Sequence, residues 1–483
     1  MTYRLALALV IVGCSVEPAN EHGDDGEHSN FDRAAWWKRV TTKKLIGTTR
    51  TGQDIYTHGG PVCGRLGSCR YETAEQRQAA ASVPRTCGRF MSVPGDMLKP
   101  RVDHAAIEVT PGRVLVLGGY DIERRGESDY WFVPSETAEL RSVNGAGWQV
   151  RDDLHPPGWD GMTGAWFEGN SFEMIKLHNG EVVFAGGSFI IQQMVESYVL
   201  DPLQDEADWQ WTRIGDVSGP DEHIRFDYST SAWGASNERA VVAGGVYFVG
   251  PDVLPYDDTR ILDAAHRSWS KGPNLIQPRV GHAAVTMQGA VVLLGGATME
   301  GLTGSIERLR VDGTSWEAVG ELIRPRMSHD AVQLSAQEVL VVGGEIVEAG
   351  SGELVVTAST EIVNLSTGAS AEAAPMPEAL IGFGLSRLPS GHILLTGGDS
   401  GLEGADELRA RAYLFDVNQR RWLRINGEQS SPRAGHTPVN VANTVMLTGG
   451  VAERDDNAEP IYTASSEIFS PGSCTNHLPF VGR

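Results

Sequence analysis

Apolar runs that end in two glycines recur along the chain at intervals of about 50 residues. Valine, leucine and isoleucine dominate these short runs, and the bounding glycines make each run typical of a buried β-strand. The seven pairs end at Gly119, Gly187, Gly245, Gly296, Gly344, Gly398 and Gly450. The pattern therefore predicts seven copies of one β-rich unit.

Two further features recur with the same period as the glycine pairs. A Pro-Arg-Xaa-Xaa-His segment precedes four pairs and ends at His104, His282, His329 and His436. A tryptophan follows most pairs, at Trp148, Trp209 or Trp211, Trp269, Trp316 and Trp422. Another short apolar run lies between each pair and its tryptophan, so we predict four strands in each unit.

The residue types fit stacked sheets. Glycine is a poor strand residue, so a fixed pair implies a bend or a close backbone approach that a Cβ atom would block. Tryptophan gives each unit a large apolar plate to bury against its neighbour. Four-stranded sheets arranged radially around an axis then leave few free edges.

These features together resemble the kelch repeat, over about residues 88–473. The resemblance implies an all-β fold, a seven-bladed kelch-type β-propeller like those of many-copy kelch proteins in bacteria. The second, third and sixth units lack the Pro-Arg-Xaa-Xaa-His segment, and no tryptophan follows Gly344. Those units depart from the family pattern.

The last unit has three strands, and its fourth must come from elsewhere. Trp269, Trp316 and Trp422 stand ten or eleven residues before the arginine of the next Pro-Arg segment. The same step back from Arg101 reaches Phe90. We therefore predict that residues 87–93 complete the last blade, in a propeller that covers residues 87–475 and leaves 476–483 as a tail.

The N-terminus has the pattern of a secretory signal, with Arg4, an apolar run over residues 5–12, and Gly13 before Cys14. Residues 11–14 resemble the lipobox of bacterial lipoproteins. The resemblance implies removal of residues 1–13 and lipidation of Cys14, which anchors the protein in the cell envelope facing the periplasm or the cell surface. Ser15 favours the outer membrane, and a simple cleaved signal is the alternative.

Two segments separate the signal from the ring. Residues 14–30 are acidic and polar and cannot bury enough apolar surface to fold, so we expect a flexible tether. Residues 31–86 form a short N-terminal extension. We expect a small cap on the propeller there, and the alternative is that Trp36, Trp37 and the adjacent basic cluster contact lipid head groups.

Charge and cysteine content narrow the partners. The net charge of -22, with no basic patch, argues against nucleic acid. Beyond the lipobox, Cys63, Cys69, Cys87 and Cys474 make an even number in an exported chain, so two disulfides are expected. Three pairings are formally possible, and zinc binding is the alternative. If residues 87–93 close the ring, Cys87 meets Cys474, and Cys63 pairs with Cys69.

Catalytic chemistry is not evident in the sequence. No cysteine lies between Gly88 and Ser473, so the cysteine–tyrosine cofactor of galactose-oxidase-type copper enzymes cannot form in the blades. The four repeat histidines and their preceding arginines occupy one repeat position each. Symmetry therefore places them in different blades, where a repeated structural hydrogen bond is expected. We predict no metal and no cofactor.

The segments after the glycine pairs are better candidates for binding, because function tends to lie on loops carried by a rigid scaffold. The candidate binding residues are Arg124, Arg125, Tyr130, Trp131, Tyr247, Phe248 and Tyr256. The alternative is that these side chains pack within their own loops. We expect a monomeric, non-catalytic scaffold for protein or glycan. The alternative function is an epimerase- or lyase-like envelope enzyme that acts on carbohydrate in the central pocket.

The cysteine assignment leads to a chemical prediction. Peptide mapping of the oxidised protein should yield a Cys87–Cys474 peptide pair, because the two residues lie at the same end of the closing strands. A Cys63–Cys87 pair would contradict this arrangement of the seam.

Overall fold

The computed structural model of the chain describes residues 44–48, 54–57, 83–102, 104–124, 130–135, 137–145, 147–154, 156, 172–186, 196–217, 229–233, 239–249, 252–263, 267–399, 410–454 and 460–472. These residues form seven principal antiparallel sheets arranged as the blades of a ring. The predicted all-β, seven-bladed propeller is confirmed. The signal, the tether and residues 476–483 lie outside the described residues.

Four strands precede the first blade in the sequence, and the first three blades follow them. Strand β1 (Lys44–Thr48) pairs with β2 (Asp54–Thr57), and β3 (Arg85–Thr86) and β4 (Arg89–Ser92) come next. Blade 1 contains β5 (Ala105–Thr110), β6 (Arg113–Leu117), the hairpin β7 (Tyr120–Arg124) and β8 (Tyr130–Pro134), then β9 (Ala138–Ser142) and β10 (Trp148–Val150). Blade 2 contains β11 (Phe172–Lys176), β12 (Val182–Gly186), β13 (Glu196–Leu200) and β14 (Trp211–Asp216). Blade 3 contains β15 (Ser229–Trp233), β16 (Arg239–Ala243), the hairpin β17 (Val246–Val249) and β18 (Asp252–Pro255), then β19 (Thr259–Asp263) and β20 (Ser268–Lys271).

The other four blades follow the same plan. Blade 4 contains β21 (Ala283–Met287), β22 (Ala290–Leu294), the hairpin β23 (Ala297–Thr298) and β24 (Gly301–Leu302), then β25 (Ser305–Leu309) and β26 (Trp316–Glu321). Blade 5 contains β27 (Asp330–Gln333), β28 (Glu338–Val342), the hairpin β29 (Glu345–Val347) and β30 (Leu354–Val356), then β31 (Thr360–Asn364) and β32 (Ala369–Ala373). Blade 6 contains β33 (Gly384–Arg387), β34 (Ile393–Thr396), β35 (Ala412–Asp416) and β36 (Arg421–Ile425). Blade 7 contains β37 (Thr437–Val441), β38 (Thr444–Thr448), the hairpin β39 (Val451–Arg454) and β40 (Pro460–Tyr462), then β41 (Ser466–Ser470). Short 3₁₀ helices occur at Asp152–Leu154 and Glu206–Asp208.

The first strand of every blade lies nearest the central axis. Each contacts the first strands of both neighbouring blades, and the sequence of contacts from β5 through β37 returns to β5. Apolar side chains fill the space between adjacent blades. Between blades 4 and 5, for example, Val285 and Leu294 pack with Val339 and Val341. The core of the protein is therefore a set of layers between blades.

The N-terminal segment closes the ring. Strand β4 pairs antiparallel with β41 and becomes the fourth strand of blade 7, with the rings of Phe90 and Phe469 5.1 Å apart. This confirms the closing strand predicted within residues 87–93. The segment also makes a contact that the sequence did not predict, because β3 pairs in parallel with β36 at the outer edge of blade 6.

The disulfide assignment is tested only at one end. Cys87, between β3 and β4, is disulfide-bonded. Cys14, Cys63, Cys69 and Cys474 lie outside the described residues. The Cys87–Cys474 pairing therefore stays a prediction.

The two glycines of a pair have different neighbours. In blade 4, a Cβ atom on Gly295 would lie 2.8 Å from the ring of His329 in the next blade. A Cβ atom on Gly296 would lie 3.1 Å from the Cβ of His282 in its own blade. Both glycines also have positive φ angles, 62° and 104°, which disfavour other residues. The pairs of blades 4 and 7 thus each make room for two histidines, one from the same blade and one from the next blade around the ring.

The arginine of each Pro-Arg segment is buried within its own blade. Arg326 donates from Nη1 to the carbonyls of Gly343 (2.7 Å) and Ser359 (3.1 Å), and from Nη2 to Glu361 (2.7 Å). The side chains of Arg326 and Glu361 are 0% and 1% exposed. The same ion pair recurs as Arg101–Glu139, Arg279–Glu307 and Arg433–Glu467.

The glutamate of each pair also holds the loop that enters its blade. Glu361 accepts hydrogen bonds from the backbone N–H groups of Ile323 (2.7 Å) and Arg324 (3.0 Å). Buried charges are tolerated only when such partners compensate for their desolvation. One carboxylate therefore links the third strand of the blade, the buried guanidinium and the incoming loop.

Two of the blades without this arginine carry a different polar pair. In blade 6, Leu380 occupies the arginine position, and Tyr413 replaces the glutamate and donates to Glu378 (2.5 Å). In blade 2, Tyr198 replaces the glutamate and donates to Glu196. Arginine and glutamate are thus replaced together, which avoids a buried unpaired carboxylate.

The tryptophans link neighbouring blades through their indole N–H groups. Trp148 donates to Ser466 Oγ (2.8 Å), Trp269 to Ser197 Oγ (2.6 Å) and Trp316 to Thr259 Oγ1 (3.0 Å). Each acceptor lies on the third strand of the preceding blade. Blade 5 has Ser370 at the tryptophan position, and Ser370 donates instead to the carbonyl of Glu321 (2.6 Å).

The buried ion pair leads to a stability prediction. Replacing Arg326 with methionine leaves the Glu361 carboxylate buried without its cation, so the free energy of unfolding should fall by about 3–5 kcal/mol. Arg324→Met is the control, since Arg324 forms an exposed pair with Glu372 and should change stability by about 0–1 kcal/mol. Urea unfolding of both variants measures the difference. Equal effects would show that burial of the pair does not control its contribution.

Candidate functional site

Five hairpins extend from one face of the ring, and each begins directly after the glycine pair of its blade. We call this side the hairpin face. It carries β7–β8, β17–β18, β23–β24, β29–β30 and β39–β40. The corresponding connections of blades 2 and 6 fall largely outside the described residues.

The candidate binding residues fall on two of these hairpins. Arg124 lies on β7, and Tyr130 and Trp131 lie on β8. Tyr247 and Phe248 lie on β17. Arg125 lies outside the described residues. The structure therefore divides these residues between blades 1 and 3, with blade 2 between them.

Tyr256 has a backbone role at the base of its hairpin. Its N–H donates to the carbonyl of Gly245 (2.7 Å), and its carbonyl accepts from the N–H of Arg279 (3.1 Å). These bonds connect the end of the blade 3 hairpin to the glycine pair and to the next Pro-Arg segment. On the same face, the blade 1 hairpin contacts the blade 7 hairpin, because β7 lies beside β40.

The repeat histidines hold adjacent blades together. His104 Nε2 is 2.8 Å from Thr448 Oγ1 of blade 7, and His436 Nε2 is 2.8 Å from Thr396 Oγ1 of blade 6. Burial, with a further contribution from Arg433, lowers the pKa of His436 to about 3, so the imidazole is neutral at physiological pH. The structural hydrogen bond predicted for these positions is present at His104 and His436.

The loops before the first strands surround the axis on the hairpin face. The N–H of Ser328 donates to the carbonyl of Gly281 (2.9 Å) and joins blades 5 and 4. The N–H of Gly435 donates to the carbonyl of Gly382 (2.8 Å) and joins blades 7 and 6. These contacts connect blades close to the axis, in addition to the contacts between their sheets.

Two carboxyl groups of blade 5 near this rim have altered protonation. Glu345, which follows the glycine pair, is 0% exposed, and burial raises its pKa to about 8 against a hydrogen bond with Ser328. Asp330 begins β27, and its side chain is exposed to solvent inside the ring of first strands. The surrounding strands reduce the hydration of its carboxylate, and this desolvation raises the pKa of Asp330 to about 6.

Most of the repeat polar groups already have partners within the ring. The repeat arginines and their glutamates are used in the ion pairs, and His104 and His436 bond the neighbouring blades. Glu345 is buried. Among the residues that the structure describes, no three histidine, cysteine, aspartate or glutamate side chains are grouped to hold a metal ion.

The glutamates of the third strands were not predicted from the sequence. Glu139, Glu307, Glu361 and Glu467 follow their glycine pairs by 20, 11, 17 and 17 residues, within the runs TAE, SIE, STE and SSE. That recurrence was a usable signal. It coincides with the four units that contain the Pro-Arg-Xaa-Xaa-His segment, so the two could have been paired by their shared occurrence.

No protein-family model matches the chain, and no curated protein matches it. Within the described ranges, no helix is long and apolar enough to cross a membrane.

The buried carboxyl group leads to a prediction about pH. Glu345 keeps its proton in the folded protein up to about pH 8, whereas its usual pKa is 4.5. Unfolding therefore releases a proton between these values, and the stability that the proton provides is lost as pH rises. Between pH 5 and 8, the free energy of unfolding of the parent protein should fall by on the order of 3 kcal/mol relative to that of Glu345→Gln, which has no carboxyl group to ionise.

Urea unfolding across this pH range tests the prediction, with the exposed Glu453→Gln as the control variant. The control should keep the pH dependence of the parent protein. Parallel curves for the parent and Glu345→Gln would show that Glu345 ionises normally in the fold.

Proposed function

We propose that the protein is a lipid-anchored propeller of the bacterial cell envelope, a non-catalytic scaffold of the kelch type that binds protein or glycan. The observation that carries this proposal is the use of the repeat residues. The repeat arginines, glutamates and tryptophans, with the histidines of blades 1 and 7, bond blade to blade or strand to loop. The hairpins are thus the elements left to vary for recognition.

The kelch assignment is supported by the positions that the repeat residues occupy. The glycine pair ends the second strand, the Pro-Arg-Xaa-Xaa-His segment precedes the first, and the tryptophan lies on the fourth. Each motif therefore occupies one position in the blades that contain it. Units that depart from the motif, such as blade 6, substitute other residues at the same positions.

The envelope location is supported by the sequence before the ring. The lipobox-like residues 11–14 and the acidic residues 14–30 have the order of a lipid anchor and a tether. The chain then enters the ring at the outer edge of blades 6 and 7, through β3 and β4. Before this entry, β1 of the N-terminal extension lies beside β8 of the blade 1 hairpin.

The hairpin residues have the composition of a recognition surface. Tryptophan, tyrosine and arginine contribute most of the energy at many protein interfaces, because they combine large contact area with polar groups. Trp131, Tyr130 and Arg124 share the blade 1 hairpin, and Tyr247 and Phe248 share the blade 3 hairpin. We propose that these two hairpins contact the ligand.

A binding experiment tests the proposal. The full-length protein is immobilised and exposed to separate protein and glycan fractions of a bacterial envelope, and the retained ligand is purified for affinity measurement. Trp131→Ala and Tyr247→Ala should each weaken its binding by roughly tenfold or more, as expected for interface anchors. Asn443→Ala, an exposed change in the turn after β37 on the opposite face, should leave the affinity unchanged.

Two results would contradict the scaffold. Equal affinity for the hairpin variants and the control would place binding elsewhere. Turnover of a purified envelope glycan by the full-length protein would show an enzyme instead.

A further inference from the structure

A groove crosses the face opposite the hairpins. It consists of two clefts on either side of the turn between β25 and β26 in blade 4. The cleft toward blade 5 has a volume of about 600 Å³, and the cleft toward blade 3 has about 380 Å³. Asp312 lines both clefts, so they adjoin at this turn. We call them together the blade 4 groove. The larger cleft alone has the volume of an ordinary small-molecule site.

The larger cleft presents hydrogen-bond donors and acceptors side by side. Arg308 donates from Nε (2.9 Å) and Nη2 (2.6 Å) to one oxygen of Glu317. Arg310 lies 3.7 Å from Glu317 and 3.6 Å from Asp312, beyond hydrogen-bond distance. Its guanidinium is 52% exposed and keeps donors for a ligand, while the carboxylates keep acceptor capacity.

The smaller cleft repeats this balance. Arg239 and Lys271 line it together with Asp263 and the shared Asp312. Along the whole groove, the cations Arg239, Lys271, Arg308 and Arg310 face the acids Asp263, Asp312 and Glu317. The groove is therefore nearly neutral on a chain whose net charge is -22. Such a surface does not strongly attract a polyanion or a polycation.

The walls of the larger cleft are fixed and partly apolar. Gln288 Nε2 donates to the carbonyl of Ala336 (3.1 Å), which links the turns of blades 4 and 5 across the cleft. The side chains of Val292 and Leu309 lie beneath it, and Val311 is 49% exposed beside it. A ligand with apolar C–H surfaces as well as polar groups fits such walls, and a site formed in advance reduces the entropy cost of binding.

We infer that the blade 4 groove binds a linear oligosaccharide. Sugar hydroxyl groups donate and accept hydrogen bonds at once, so they need the alternating guanidinium, amine and carboxylate groups that the groove offers. Sugar rings also present C–H faces that can contact Val311. Two clefts that adjoin at Asp312 suit neighbouring sugar units of one chain that crosses the turn. The site is separate from the hairpin face, so it does not rest on the ligand proposed for the hairpins.

The experiment uses the full-length protein and an array of linear tetrasaccharides, both neutral (cello-, chito- and xylo-) and acidic (galacturonate). Calorimetry then measures the affinity for each sugar that binds. Arg308→Ala and Arg310→Ala should each lower it by roughly tenfold or more, as expected when a charged donor is lost. Arg324→Ala is the matched control, since this arginine also forms an exposed ion pair, and it should bind normally.

Each outcome decides the inference. Loss of binding in both groove variants, with melting temperatures unchanged and binding kept in Arg324→Ala and Trp131→Ala, supports it. Absence of any bound tetrasaccharide overturns it, as does equal binding by the groove variants. Sugar binding that is lost in Trp131→Ala and kept in Arg310→Ala would also overturn it, while leaving the hairpin proposal intact.

Discussion

The buried pair of arginine and glutamate is the interaction on which four of the seven blades depend, those numbered 1, 4, 5 and 7. A carboxylate without water must be satisfied on all sides, and Glu361 achieves this with a guanidinium and two backbone N–H groups. The loop that enters the blade is therefore fixed relative to its third strand. Since this loop leads directly to the first strand, the pair also sets where that strand meets the central axis.

Contacts between blades use a second set of groups, each of which needs a particular partner. A histidine fits only where the preceding blade supplies a glycine, as His329 does beside Gly295. An indole N–H reaches a hydroxyl on the preceding blade, as Trp316 reaches Thr259. These bonds are directional, whereas the apolar layers between blades are not, so the polar contacts specify how far each blade is rotated against the next.

The sequence predicted the features that depend on local pattern and missed those that depend on assembly. Seven glycine pairs with apolar runs determined the number of blades, and the spacing of Trp269 and Trp422 from the following arginines located β4. The parallel contact of β3 with β36 had no signal, because two residues carry no periodicity. The candidate binding residues around Trp131 and Tyr247 follow glycine pairs in the sequence, and their separation by a whole blade follows from the order of blades in the ring. The blade 4 groove escaped notice since it joins residues from three blades that share no motif.

The pairing of β4 with β41, which closes the ring, affects the order in which the protein folds. Strand β4 is synthesised before every blade, yet its partner β41 comes after all the others. Six blades can pair their own strands as they appear, while the seventh waits for a segment made at the start. Until β4 pairs with β41, β41 has an unpaired edge and the ring of Phe469 lacks its contact with Phe90. Closure over so large a sequence separation is slow, so the nearly complete ring is prone to aggregate through this edge.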